Sequence, residues 1–301
     1  MIKTLESILR TEAGDGFFKR LPGEAKSAVG RNVRRGTKAA AVRSKRLIIK
    51  RLRRAQPNAI RNELLAILCA CRKGRRCCHA ACPVCTYAMQ NLLTALMQDF
   101  RGVGIQLDTC MTLIPRLRIL LSEAESPQGE DAIKIVEHLR AKLERAFDEA
   151  GVTLVFGSID YDVNEFPQGQ FKAHIKPHFH GTVRSSELTN SSDKIIRKNF
   201  KSGGSVNVPV LVEKFDGRDE WGRYMFKSPD RRKLRKQVAP KDRASTWLDS
   251  QYKPQTVAQH LQQLEILHLT GWKLRIFTRG LSLRRNRFDT WQLHVLHHTK
   301  N

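Results

Sequence analysis

The chain is short of acid. Its 301 residues carry 29 Asp and Glu against 54 Lys and Arg, a formal charge of +25 at pH 7. Such an excess repels itself unless a polyanion accepts it, so nucleic acid is the first partner to expect and an anionic membrane surface the second. No apolar run reaches the length of a spanning helix, and the N-terminus has no signal-peptide core, so neither membrane insertion nor export is expected. The acidic residues within "MIKTLESILRTEAGDGFFKRL" argue against a transit peptide, which leaves the cytoplasm as the expected compartment. Outside residues 69–85 there is one cysteine, Cys110, so no disulfide framework spreads along the chain. None of the histidines is followed two places on by Glu, which excludes the zinc deaminases. No internal repeat is visible.

What is present divides the chain. Residues 1–60 read as a basic arm with helices, and within them "FKRLPGEAKSAVGRNVRRGTKAAAVRSKRLIIKRLRR" suits phosphate contact. Residues 61–100 form a Cys-rich module between two helical stretches, "AIRNELLAIL" and "YAMQNLLTALMQDF". Residues 101–230 change period. "GIQLDTCMTLI" alternates as a strand, and "EDAIKIVEHLRAKLERAFDEAG" spaces apolar residues as a helix closed by Gly151. "VTLVFGSIDYDV" is a strand, "KPHFHGTV" another and "SVNVPVLVEKF" a third, with 185–204 a polar stretch and "DEWGRYMFKS" a short helix. Residues 231–301 are a basic extension with a helix, "QTVAQHLQQLEILHL", and a last strand, "WKLRIFTRG". The order predicts an α+β fold with a largely antiparallel central sheet flanked by helices.

Six of the seven cysteines lie in "CACRKGRRCCHAACPVC". A Cys-x-x-Cys turn presents two thiolates from one bend, as Cys82 and Cys85 would. The second pair comes from Cys69, Cys71, Cys77 and Cys78, with His79 a further donor, and Cys71 and Cys77 are preferred. The expected ion is a structural Zn²⁺. Buried free thiols are the alternative.

In "KPHFHGTV", His178 and His180 share one face of a strand. Two imidazoles are half of a metal site, although a solvated polar face would also hold them. Hard-cation chemistry needs an oxygen ligand, and "GSIDYDV" offers Asp160 or Asp162, with Asp160 preferred because it lies deeper in the apolar run. The chain has four tyrosines, at 87, 161, 224 and 252. Tyr224 in "RYMFK" stands one helical turn before Lys227, so a cation would sit beside the phenol.

Together "CMTLIP" (110–115), "PHFHG" (177–181) and "YMFK" (224–227) resemble, in type and order, the motifs of the HUH endonuclease superfamily, specifically the rolling-circle replication initiators of plasmids and phages. "CPVC" before the first motif is similar to the cysteine knuckle of several such initiators. The likeness covers roughly residues 70 to 230. It implies an HUH (RRM-like) palm preceded by a small zinc knuckle, and a DNA nickase and strand-transferase dependent on Mg²⁺ or Mn²⁺. His178, His180 and Asp160 would hold the divalent ion, and Tyr224 would attack a phosphodiester to give a 5′-phosphotyrosine and a free 3′-hydroxyl. Lys227 would steady the phosphate or the metal site. The implied partners are single-stranded DNA at a replication origin and a host helicase or polymerase, with no membrane. The single tyrosine of the third motif departs from the members that relay between two. A zinc-ribbon nucleic-acid binder on a decayed HUH scaffold, without catalysis, is the competing expectation, and a basic scaffold protein for RNA is a third.

Overall fold

The computed structural model describes residues 37–72, 75–91, 107–121, 129–166, 169, 171–215, 224–225, 231–238, 246–285 and 291–295. Most of the arm at 1–36 and the motif residue Lys227 lie outside that set.

The N-terminal pair of helices, α1 (Lys38–Arg54) and α2 (Ala59–Ala70), each begin at a polar cap: Thr37 accepts from the Ala40 amide and Asn58 from the Arg61 amide. The central strands follow as β1 (Thr109–Leu113) and the short β2 (Ile119–Leu120). Helix α3 (Gly129–Glu149) buries Ala132, Val136, Leu139, Leu143, Ala146 and Phe147, the three-and-four spacing of one apolar face. Gly151 then takes a left-handed φ of 68° and ends it. The hairpin β3 (Val155–Glu165) and β4 (His174–Val183) comes next, followed by α4 (Asn190–Asn199) and β5 (Val210–Lys214). After them run β6 (Arg231–Val238), β7 (Thr246–Pro254), α5 (Val257–Arg275), β8 (Ile276–Arg279), β9 (Leu281–Arg285) and β10 (Trp291–Val295).

The fold is α+β. Its main sheet runs β5-β1-β4-β3-β6-β7, with β2 beside β4 and β8 beside β3; β9 and β10 pair separately. The sheet is mixed, because β3 and β6 run parallel while the remaining pairs are antiparallel. Alternation in a sequence reports which face a residue takes and carries nothing about strand direction, so the parallel pair had no signature. The basic extension also holds four strands that were not expected, β6 and β7 in the main sheet and β9 and β10 in their own. Two further differences have local causes. The polar stretch 185–204 holds α4, capped by Thr189 and anchored by the buried Ile196, too few apolar positions to show a period. The expected strand "WKLRIFTRG" begins in helix: Gly271, at φ 54°, breaks α5 and lets a last turn through Arg275 precede β8.

One apolar core runs through the molecule, from Ile48 and Leu52 of α1 and Leu64 and Leu68 of α2, past α3, to Leu264 of α5 and Phe277 of β8. Helix α5 is the hinge of this packing. Arg61 of α2 pairs with its Glu265 at 2.5 Å, Arg51 of α1 bonds His260, and the Trp272 indole donates to the Cys78 carbonyl at 2.9 Å. Among the described residues no helix is long and apolar enough to cross a membrane.

Candidate metal centres

The phenylalanine between the two histidines fixes where they point. Phe179 is fully buried, and its ring fills the space above Gly157 and Gly181; a Cβ on Gly157 would meet the ring at 2.5 Å. Glycine is therefore required on both flanks, since no side chain shares that volume. With Phe179 committed to the α3 side, where it meets Phe147 and Phe277, His178 and His180 stand on the opposite face. All ten residues of β4 are buried, so the imidazoles are not on a solvated face.

The register sets Asp160 opposite His178 and Ser158 opposite His180. Ligand atoms of Asp160, His178 and His180 all lie within 4.8 Å of one another, and the group can hold a metal ion. The His178 Nδ1 lies 3.1 Å from the Lys176 carbonyl oxygen. A carbonyl only accepts, so Nδ1 carries a proton and Nε2 is the nitrogen that could ligate. His180 is oriented by Thr112 of β1, whose Oγ1 lies 2.8 Å from its Nδ1. That hydroxyl is the threonine of "CMTLIP", brought alongside by the Thr112–His180 register.

Cations crowd the two aspartates. Asp160 Oδ1 accepts from Arg275 Nη2 at 3.3 Å, while Asp160 Oδ2 is buried with no hydrogen-bond partner among the described residues. Burial pulls the Arg275 guanidinium down from its ordinary range, against the opposing pull of Asp160. Asp162 pairs with Lys233 at 2.5 Å and lies 3.6 Å from His178 Nε2, at the rim of the site. Of the two acids, Asp160 is the one that joins the histidines. Arg275 and Lys233 were not anticipated, and nothing in their local sequence marks them: each reaches the site from a distant element. A break in edge pairing explains the Arg275 approach. β8 pairs with Val155–Ser158 and β6 with Val163–Glu165, so the backbone between them takes side-chain donors, Arg275 to Ile159 O and Gln263 to Tyr161 O.

Tyr224 packs its ring against His180, centroid to centroid 4.6 Å, and is part exposed. Beside it the Met225 carbonyl accepts from the Ser158 hydroxyl, tying this segment to β3. The other tyrosines stand elsewhere. Tyr161 points to the opposite face of β3, and burial pushes its phenol up to about 12. Tyr252 is exposed near Lys233.

The second centre is the cysteine cluster. Sulfurs of Cys71, Cys77, Cys82 and Cys85 lie within 4.8 Å of one another, with Cys71–Cys85 at 3.8 Å, Cys77–Cys85 at 3.6 Å and Cys71–Cys82 at 3.7 Å. These four can hold a metal ion. Cys71 ends α2, Cys82 and Cys85 flank the start of the helical turns at 83–91, and Cys77 comes from the reversal between them, where Cys78 adopts φ 51°. All seven cysteines are free thiols. Within the cluster, hydrogen bonds from Cys77, Cys82 and Cys85 lower Cys71, the bond to Cys71 pushes Cys77 and Cys82 up and Cys85 to about 12, and the bond to Cys85 lowers Cys78. A cation at the centre would remove these opposed shifts by ionising all four of its ligands. Cys69 is exposed, and His79 turns away to stack on His268 at 5.0 Å.

No family model matches the chain, and no curated protein or solved structure matches it.

Proposed function

We propose that the protein is a metal-dependent, HUH-type single-strand DNA nickase and strand-transferase of the replication-initiator kind. The observation that carries this reading is the convergence of Asp160, His178 and His180 on one sheet face with Tyr224 packed against His180. The carboxylate suits Mg²⁺ or Mn²⁺, the two imidazoles favour Mn²⁺ of the pair, and such an ion would polarise a non-bridging oxygen of the scissile phosphate. One ligand atom from each of Asp160, His178 and His180 would hold it, Asp160 through the buried Oδ2.

The chain supplies the rest. Tyr224 attacks phosphorus through its phenolic oxygen, which loses its proton to water. The phosphorus–O3′ bond breaks, the 3′-oxygen takes a proton, and the 5′ phosphate stays on the tyrosine. The partial exposure of Tyr224 leaves room for a strand to reach it. Thr112 holds the His180 ring, and Arg275 holds the Asp160 carboxylate. In the cysteine knuckle we assign Zn²⁺: a tetrahedron with metal–sulfur bonds of ~2.3 Å has edges of about 3.8 Å, close to the sulfur separations given above.

The test is incubation of the protein with end-labelled single-stranded DNA and Mn²⁺ or Mg²⁺, followed by a denaturing gel. A covalent adduct is expected, lost in Tyr224→Phe while DNA and metal binding persist. An adduct that survives Tyr224→Phe would move the nucleophile to another tyrosine. One observation favours the non-catalytic alternative: Asp160 is already neutralised by a buried arginine. No adduct from the wild-type protein with either ion would decide for that nucleic-acid-binding scaffold.

A further inference from the structure

Helix α1 contains no Asp or Glu. Its buried residues, Ile48 and Leu52, face the core, and the Lys45 ammonium donates to the Cys71 carbonyl, which fastens the helix to the cysteine knuckle. Arg43, Arg46, Lys50, Arg53 and Arg54 are exposed. At 100° per residue these five fall within one stripe about 100° wide, opposite Ile48 and Leu52, and they span about 16 Å along the axis. None of the five makes an ion pair among the described residues.

The geometry points to this stripe as a docking surface for double-stranded DNA, read through its phosphates. A rigid line of cations on a packed helix matches the regular charge of a duplex, which carries a phosphate every ~1.7 Å of axis. Non-specific single-strand sites add aromatic platforms on which bases stack, and α1 has no aromatic residue. A membrane-surface helix needs an apolar face turned outward, and on this side Leu47 is the one large apolar residue exposed. Resting on the nickase reading, the duplex would be the one flanking the strand that enters at Tyr224, held by the knuckle-anchored helix while the sheet face works on the opened segment.

The experiment compares the full chain with Arg46→Gln/Lys50→Gln, changes on the exposed side that leave Ile48 and Leu52 in place. Binding to a labelled 20-bp duplex and to a 20-nucleotide single strand is measured across a KCl series. Each cation lost should reduce the slope of log affinity on log salt by about 0.9, so the pair should lose about 1.8. If the two lines meet at 1 M, that is roughly a 60-fold loss of duplex affinity at 0.1 M salt. Single-strand affinity and adduct formation on a pre-opened oligonucleotide should be unchanged. A duplex slope equal to wild type would overturn the assignment. So would an equal loss on single strands, or loss of sedimentation with phosphatidylserine vesicles while duplex binding stays intact. A wild-type protein that gives no adduct but shows the slope change would remove the nickase reading and leave the duplex surface standing.

Discussion

Thr112 shows how much a single side chain can control in this site. It sits on a neighbouring strand and touches His180 through one oxygen. Groups that orient a ligating histidine typically change metal affinity 10- to 100-fold when removed, because the ring loses its preferred tautomer and direction. Thr112→Val keeps shape and deletes the hydroxyl, so Mn²⁺ affinity measured by electron paramagnetic resonance should fall about 10- to 100-fold, with zinc content unchanged. His178→Ala and His180→Ala should remove Mn²⁺ binding and cleavage together while zinc stays, since thiolates and imidazoles belong to separate sites. Loss of zinc from either histidine variant would mean that the two centres are one cooperative unit.

At the scale of elements, α5 joins the two centres. Past the Gly271 break, Trp272 bonds the knuckle at Cys78, its ring lies 5.2 Å from the Arg275 guanidinium, and Arg275 holds Asp160. Arg275→Met strands a buried carboxylate without its counter-charge and should cost about 3–5 kcal/mol. Trp272→Phe keeps an aromatic ring but removes the N–H donor and part of the indole volume, so about 1–3 kcal/mol is expected. Urea midpoints check both. Equal effects would show that the ion pair carries none of the difference. Strands β1, β3, β4 and β5 and helix α3 were legible because each has a clean period ended by Gly151 or a turn. Strand β2 is too short to show one, and β6, β7, β9 and β10 lie in segments read only as basic or not read as strands. Helix α4 and the last turn of α5 were not, because a cap and a glycine break defined them without a repeating apolar face.

Two buried histidines, His174 and His260, give the stability of the whole molecule a pH dependence. Burial lowers His174 to about 4, and burial with the Arg51 charge lowers His260 to about 4. Both folded values lie below the unfolded value near 6.5, so the unfolded chain binds more protons as the pH falls. The stability is therefore present above pH 6.5 and is lost on the way down towards 4. The expected loss is about 2 kcal/mol per histidine at pH 5. Thermal melts of His260→Gln should fall less steeply between pH 7 and 5 than those of the wild-type protein. Parallel curves would show that His260 does not titrate with unfolding.

Composition alone determined that the chain is strongly cationic, and spacing alone picked out Cys71, Cys77, Cys82 and Cys85 and the His178–His180 pair. These features are local: a turn of a few residues presents thiolates, and a two-residue period puts imidazoles on one face. The preference for Asp160 over Asp162 came from its depth in the apolar run, and in the structure Asp160 lies with the two histidines. Tertiary structure decided the rest. It set β3 and β6 parallel, turned His79 towards His268, brought Thr112 and Tyr224 to His180, and sent Arg275 to Asp160 across 115 residues. Contacts between residues that far apart depend on which elements pack together, and no local pattern encodes that.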